Sequence, residues 1–111
     1  MTFTLYVDEE RWRAHLRSVV DRTPGIVPVM KGNGYGFGIS RLAREARDLG
    51  VDTVAIGTFD ELAAVREEFP GDVLVLAPSY PRPLDDVGPH VVQTVAHVQT
   101  LRSGRGERVV L

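Results

Sequence analysis

Short runs of apolar, often β-branched residues alternate with helical patterns along this chain, and this alternation constrains the fold most. The runs lie at residues 26–30, 53–57, 73–76, 91–95 and 108–111. Helical spacing or helix-start signals lie at residues 39–49, 58–69 and 96–101. Strands that alternate with helices form right-handed β-α-β units around a parallel sheet. The pattern therefore predicts an α/β protein with four or five parallel barrel strands.

Chain length limits how much of a barrel these units can form. A complete (β/α) barrel takes about 250 residues, whereas this chain has 111. We therefore expect a partial TIM-type barrel, its amino-terminal half, over residues 1–111. The remaining strands and any carboxyl-terminal domain are expected to lie outside these residues.

The first part of the chain, before the predicted barrel strands, carries its own local signals. Residues 2–7 have the composition of a strand, and residues 9–20 form a helical pattern. Asp8 is placed to cap that helix, and Trp12 is its expected packing anchor because it shares one helical face with other apolar residues. The prediction for this part is one strand followed by one amphipathic helix.

Two later helices are delimited by residues with known capping roles. Gly50 directly follows the helical pattern at residues 39–49 and is the expected left-handed residue at its end. Thr58 and Glu61 have the spacing of a capping box, which predicts that the next helix begins beside them. Both signals are local and do not depend on the rest of the fold.

A glycine-rich run follows the strand predicted at residues 26–30. It reads Lys-Gly-Asn-Gly-Tyr-Gly-Phe-Gly over residues 31–38. The spacing places Lys31 at the carboxyl end of a strand, where parallel α/β folds carry catalytic groups. Burial there favours a neutral amine, a nucleophile that forms a Schiff base with an aldehyde such as pyridoxal phosphate. The alternative is a solvated lysine in a glycine-rich turn.

Nucleotide-binding loops are also rich in glycine, but their spacing differs from that of residues 31–38. A dinucleotide fingerprint started at the first or second glycine of the run places Phe37 or Ile39 where its third glycine must stand. A P-loop carries its lysine after the glycines, whereas Lys31 precedes them. Both nucleotide interpretations therefore fail.

Residues 29–38, Val-Met-Lys-Gly-Asn-Gly-Tyr-Gly-Phe-Gly, resemble the signature of the alanine racemase family, Val-Val-Lys-Ala-Asn-Ala-Tyr-Gly-His-Gly. In that family the lysine carries pyridoxal phosphate as an internal aldimine and is one of two catalytic bases. The family's tyrosine hydrogen-bonds the cofactor phosphate, and a leucine lies beside the cofactor ring. The resemblance implies that Lys31 is catalytic and that Lys31, Tyr35 and Leu76 bind the cofactor.

The resemblance continues beyond the signature but also has departures. It extends through residues 43–50, residues 58–62 with Arg66, and residues 73–76. Glycine replaces the two alanines of the family signature, and Phe37 replaces its histidine, which removes a polar contact near the site. These changes leave the substrate open, with alanine the usual one in the family and serine or another small amino acid as alternatives.

The activity implied by the resemblance is pyridoxal-phosphate-dependent interconversion of L- and D-amino acids, whether or not this chain is active alone. The family acts as a homodimer, in which the second base, a tyrosine, comes from the opposite subunit. Two alternatives remain: another barrel enzyme with the same cofactor, such as a decarboxylase, and a non-catalytic protein that binds pyridoxal phosphate. A chain that binds nothing is a third interpretation.

Composition excludes several other classes of protein. The formal net charge is -2, so there is no basic excess for nucleic acid or an anionic membrane. No apolar run is long enough to span a bilayer, and no signal peptide is recognisable, which favours the cytoplasm. The chain has no cysteine, and its three histidines are isolated, so we expect neither disulfides nor a metal site. The proline-rich residues 78–83 are either a border of the active-site mouth or a structural loop.

Overall fold

A parallel sheet of four strands organises the chain in the computed structural model, which describes residues 1–78, 88–103 and 108–110. Neighbouring strands pair in sequence order, and each pair is parallel. The strands are β1 (Thr53–Ile56), β2 (Asp72–Val75), β3 (Val91–Thr94) and β4 (Arg108–Val110). The predicted α/β class with parallel strands is confirmed.

A fifth extended segment adds to the sheet beside β1 through a single bridge. Val29 pairs in parallel with Ala55. The Met30 amide donates to the Ala55 carbonyl oxygen at 2.9 Å, and the Ala55 amide donates to the Pro28 carbonyl oxygen at 2.8 Å. The strand predicted at residues 26–30 is therefore shortened to this bridge, but its place at the edge of the sheet agrees with the prediction.

Helices follow or precede these strands, and local signals delimit them. Asp8 caps the first helix by accepting a hydrogen bond from the Arg11 amide at 3.1 Å. Gly50 ends the second at φ 75°, and the capping box of Thr58 and Glu61 is formed. The helices are α1 (Glu9–Arg22), α2 (Ile39–Leu49), α3 (Leu62–Arg66) and α4 (Val98–Ser103), with a 3-10 turn (Phe59–Glu61) before α3.

The hydrophobic core lies between one face of the sheet and the helices. Val54 pairs with Val73 and Ile56 with Val75, so these four side chains share the covered face and are fully buried. The core also includes Met30, Ile39, Ala43, Ala46, Val65, Phe69 and Val91. Alternation along a strand turns Ala55, and the residues paired with it on the neighbouring strands, to the opposite face. On that face Val29 is 40% exposed.

Some sequence predictions are wrong, either because the element does not form or because it is shorter than predicted. Residues 2–7 form no strand, and Phe3, Leu5 and Tyr6 are 83–88% exposed, because no described strand lies beside them to complete their hydrogen bonds. The helix predicted at residues 58–69 begins as a 3-10 turn and ends at Arg66. The predictions for Leu111 and for residues 79–83 lie outside the described residues.

The start of β2 provides a pH-dependent contribution to stability. Arg108 donates a hydrogen bond to the Asp72 carboxylate, and His90 Nδ1 lies 3.1 Å from Asp72 Oδ1. Hydrogen bonds from Arg108 and then from His90 lower the pKa of Asp72 below its usual value of 3.8. A lowered pKa in the folded state stabilises the protein above the unfolded-state pKa, and this stabilisation is lost as the pH falls through the folded-state value.

We therefore expect Asp72→Asn to destabilise the chain near neutral pH and to lose most of that effect at an acid pH below the lowered pKa of the wild-type carboxylate. Urea unfolding of both proteins at the two pH values measures the difference. An equal penalty at both pH values would contradict the assignment, because it would show that the effect does not depend on ionisation.

Candidate functional site

The lysine loop (residues 31–38) joins the one-bridge strand to α2 through an unusual backbone. Four consecutive residues have left-handed φ angles: Gly32 at 62°, Asn33 at 52°, Gly34 at 65° and Tyr35 at 54°. Glycine adopts this region without penalty, whereas other L-residues pay roughly 1–2 kcal/mol each. The turn (Lys31–Tyr35) therefore needs contacts that hold it in place.

Asn33 provides the main polar contacts that close this loop. Its carbonyl oxygen accepts from the Gly38 amide at 2.9 Å, and its side-chain Oδ1 accepts from the Ile39 amide at 3.3 Å. Ile39 is the first residue of α2, so the same side chain satisfies a free amide at the start of that helix. At the other end, the Gly34 amide donates to the Met30 carbonyl oxygen at 3.0 Å. These hydrogen bonds tie the loop to both neighbouring elements.

Lys31 lies at the carboxyl edge of the sheet, beside Gly57. A Cβ built on Gly57 would be 3.2 Å from the Lys31 Cβ, so the missing side chain leaves the lysine its space. Gly57 directly follows β1, and its carbonyl oxygen accepts from the Ala77 amide at 2.8 Å. The Leu76 amide donates to the Ile56 carbonyl oxygen at 2.9 Å. Lys31, Gly57 and Leu76 thus follow three neighbouring strands at one edge.

The three candidate side chains are all accessible. Tyr35 is 62% exposed and Leu76 37% exposed, and Lys31 is also classed as exposed. The expectation that Lys31 is buried at the strand end is therefore wrong for this chain. The four-residue turn directs the lysine to an open edge, where no described element covers it.

Glu61 fixes the loop that faces Lys31 across Gly57. Its Oε1 accepts from the Gly57 amide at 2.9 Å and from the Thr58 amide at 3.2 Å. The capping box predicted from sequence therefore has a second role, since it holds the backbone that lies against the lysine. The sequence signal identified the residues of this box but not their neighbour.

Phe37 makes a contact that sequence reasoning missed. Its ring stacks on Trp12 of α1, with ring centroids 5.8 Å apart and planes inclined by 9°. Trp12 was expected to anchor α1 by packing, and its packing partner is the lysine loop. The aromatic residue that replaces the family's histidine therefore exchanges a polar contact for a ring contact. Only the contrast with that family signature pointed to this position.

The chemistry of this edge fits pyridoxal phosphate. Lysine occurs once in the sequence, so Lys31 is the chain's sole side-chain amine. It stands next to Gly57, where an added Cβ would be 3.2 Å from the Lys31 Cβ, with an accessible apolar side chain at Leu76 and an accessible phenol at Tyr35. Within residues 1–78, 88–103 and 108–110, no cluster of acidic or histidine side chains is arranged to hold a metal ion.

Comparison with known proteins agrees with this geometry. The family model described as "Alanine racemase, N-terminal domain" matches residues 7–107. The chain belongs to this family. The matched residues include the lysine loop, strands β1 to β3 and helices α2 to α4, and the match confirms the resemblance seen in residues 29–38.

Individual relatives of the alanine racemase family support the assignment. The alanine racemase of Lawsonia intracellularis is 42% identical over 59 residues, which are 53% of this chain and 16% of that protein. An amino-acid racemase of Enterococcus faecalis is 29% identical over 73 residues, 65% of this chain and 10% of that protein. The crystal structure of alanine racemase from Oenococcus oeni matches with a TM-score of 0.62 and 25% identity over 83% of this chain and 27% of that one.

The chain thus spans between a tenth and about a quarter of the length of these three relatives. Among the helices that the structure describes, none has the length and apolar character needed to cross a membrane.

The two glycines that replace alanine in the family signature differ in their surroundings. A Cβ on Gly34 would lie 2.9 Å from Leu42 Cδ1 and 3.3 Å from Leu42 Cγ, whereas a Cβ on Gly32 would meet nothing within 4 Å. Both substitutions add left-handed strain of about 1 kcal/mol. We expect Gly34→Ala to lower the free energy of unfolding by about 1 kcal/mol more than Gly32→Ala, because Leu42 must move.

Urea unfolding of the two variants measures this difference, and each serves as the other's control because their φ angles are nearly equal. Equal losses would show that Leu42 yields without cost.

Proposed function

We propose that this chain holds pyridoxal phosphate on Lys31 and contributes to the racemisation of a small amino acid. The observation that carries the proposal is the chain's sole lysine at the carboxyl edge of a parallel sheet, beside a glycine that leaves it space. Membership of the alanine racemase family supports the same conclusion.

Each residue of the edge has a role in this proposal. Lys31 would hold the cofactor through its amine and, once the amine of the substrate has displaced it from the cofactor, would take or return the α-proton on one face of the substrate. Tyr35 donates its hydroxyl to the phosphate end, and Leu76 packs against the ring. The bound cofactor supplies an electron sink that acidifies the α-carbon of an amino acid.

Racemisation also needs a proton carrier on the opposite face of the substrate. We assign it to residues outside this chain, in a homodimer of the protein to which the chain belongs. Lys31 and Tyr35 are exposed at the sheet edge, which leaves them accessible to a second subunit.

Reduction with borohydride in the presence of pyridoxal phosphate tests the cofactor site. Mass spectrometry of the peptides is expected to find a pyridoxyl group on Lys31. The α-amine of Met1 is the internal control, because it is the other primary amine of the chain and is exposed. An adduct restricted to Met1, or equally distributed between the two amines, would contradict a formed site at Lys31.

Proton exchange distinguishes the racemase from the alternatives. A racemase is expected to introduce solvent deuterium at the α-carbon of alanine or serine and to form the D-enantiomer. A decarboxylase would release carbon dioxide from the substrate, and a non-catalytic carrier would show the Lys31 adduct without exchange. The assay belongs on the full-length protein, because both proton carriers are needed.

A further inference from the structure

Helix α1 is a peripheral element whose contacts concentrate at two places. None of its 14 residues is fully buried. Its apolar side, which includes Trp12 and Leu16, lines a cavity of about 190 Å³ shared with Met30 and Leu42. A helix with so little burial is held by specific contacts rather than by the core.

The first of these contacts joins α1 to α2. Arg13 Nε lies 3.0 Å from both carboxylate oxygens of Glu45, and Arg13 Nη2 lies 2.6 Å from Glu45 Oε1. Glu45 is only 5% exposed, so this carboxylate needs the charged partner that α1 supplies. The ion pair therefore fixes the position of α1 against the helix that follows the lysine loop.

The second contact joins α1 to the lysine loop itself. The 5.8 Å separation and the near-parallel planes of Trp12 and Phe37 lie in the favourable range for stacked rings. Phe37 is 43% exposed, so its ring is not held by the core. The backbone of this segment is held by hydrogen bonds from the Phe37 amide to the Gly34 carbonyl oxygen at 3.0 Å and from the Gly38 amide to the Asn33 carbonyl oxygen at 2.9 Å. The stack adds to these backbone hydrogen bonds a side-chain contact that comes from α1.

We propose that Trp12 is a positioning residue for the cofactor site. Its stack on Phe37 holds the lysine loop in the left-handed conformation that presents Lys31 and Tyr35 at the sheet edge. The hydrogen bonds of Asn33 tie the loop to α2, and the aromatic stack ties it to α1. This inference rests on the proposed function for its effect on cofactor binding, but its effect on the loop does not require a cofactor.

Three variants of α1 separate positioning from general stability. Trp12→Ala removes the stack, Trp12→Phe retains a ring, and Leu16→Ala enlarges the same cavity without touching the loop. We expect Trp12→Ala to weaken pyridoxal phosphate binding about three- to tenfold, the range of an aromatic pair. Trp12→Phe is expected to restore most of the affinity, and Leu16→Ala is expected to lower stability with unchanged affinity.

Hydrogen exchange provides the readout that needs no cofactor. The amides of Gly38 and Ile39 are bonded to Asn33, so their protection reports the closed loop. Trp12→Ala is expected to accelerate exchange at these two amides more than at the later amides of α2. Leu16→Ala is expected to cause no such difference. Where Trp12→Ala does not fold, Phe37→Leu removes the same stack from the other side.

The outcomes distinguish the proposed function from the positioning role of Trp12. A wild-type chain that gains no pyridoxyl group on Lys31 refutes the proposed function, while faster exchange at Gly38 and Ile39 in Trp12→Ala still supports the positioning role. Unchanged exchange in Trp12→Ala, or equal acceleration by Leu16→Ala, overturns the positioning role whatever the cofactor result.

Discussion

Replacing Lys31 by arginine is expected to abolish the pyridoxyl adduct and to reduce α-proton exchange in the full-length protein by a factor on the order of 10²–10⁴. Arginine keeps the positive charge and a similar length, but its guanidinium stays protonated and is not a nucleophile. Lysine occurs once in the sequence, so no neighbouring amine can replace the one that is lost. The expected loss therefore comes from the missing nucleophilic amine, since the positive charge is retained.

A matched control moves the amine instead of removing it. Arg41 is an exposed residue of α2, close in sequence to the lysine loop. The double variant Lys31→Arg, Arg41→Lys keeps the number of lysines and the net charge of the chain. Peptide mass spectrometry after borohydride reduction is expected to find no adduct at position 41. An adduct there comparable to the wild-type level would mean that any exposed amine reacts and that the sheet edge has no special role.

Phe69→Ala is expected to lower the free energy of unfolding by about 3–5 kcal/mol. Phe69 is 1% exposed, and it is among the largest fully buried side chains of the described residues. Its ring lies against Gly71, where an added Cβ would be 2.7 Å from Cζ. Truncation leaves a cavity between α3 and β2 that the rigid backbone near Gly71 fills poorly.

Urea unfolding measures this loss against Phe3→Ala. Phe3 is 88% exposed, so its truncation is expected to change the free energy of unfolding by less than about 0.5 kcal/mol. Single domains have total stabilities of about 5–15 kcal/mol, so the Phe69 variant would lose a large share of the whole. Similar effects of the two substitutions would show that the ring of Phe69 is not in a packed core.

The elements that sequence analysis predicted correctly depend on residues close together in the chain. The caps at Asp8, Gly50 and Thr58 involve partners within one helical turn. The apolar runs that became β1, β2 and β3 are short and β-branched, and the alternation of strands and helices along the chain predicted their parallel order. The family signature likewise occupies one continuous segment, which is why residues 29–38 were enough to indicate the family.

The predictions that failed depend on partners elsewhere. Residues 2–7 have a strand-like composition, but no described strand lies beside them to complete their hydrogen bonds. Lys31 was expected to be buried because it ends an apolar run, and burial depends on which other elements cover the sheet edge. The extended segment around Val29 likewise keeps only one bridge, to Ala55 of β1.

The sequence by itself determined the alternation of strands and helices and the helix caps, since each depends on periodicity or spacing along the chain, and its resemblance to the family signature indicated the residues of the candidate site. The tertiary structure alone decided the left-handed course of the lysine loop, the placement of Lys31 against Gly57 and the stack of Phe37 on Trp12. These features require residues from separate elements to meet. Contacts between separate elements depend on the packing of the whole sheet, which no local pattern specifies.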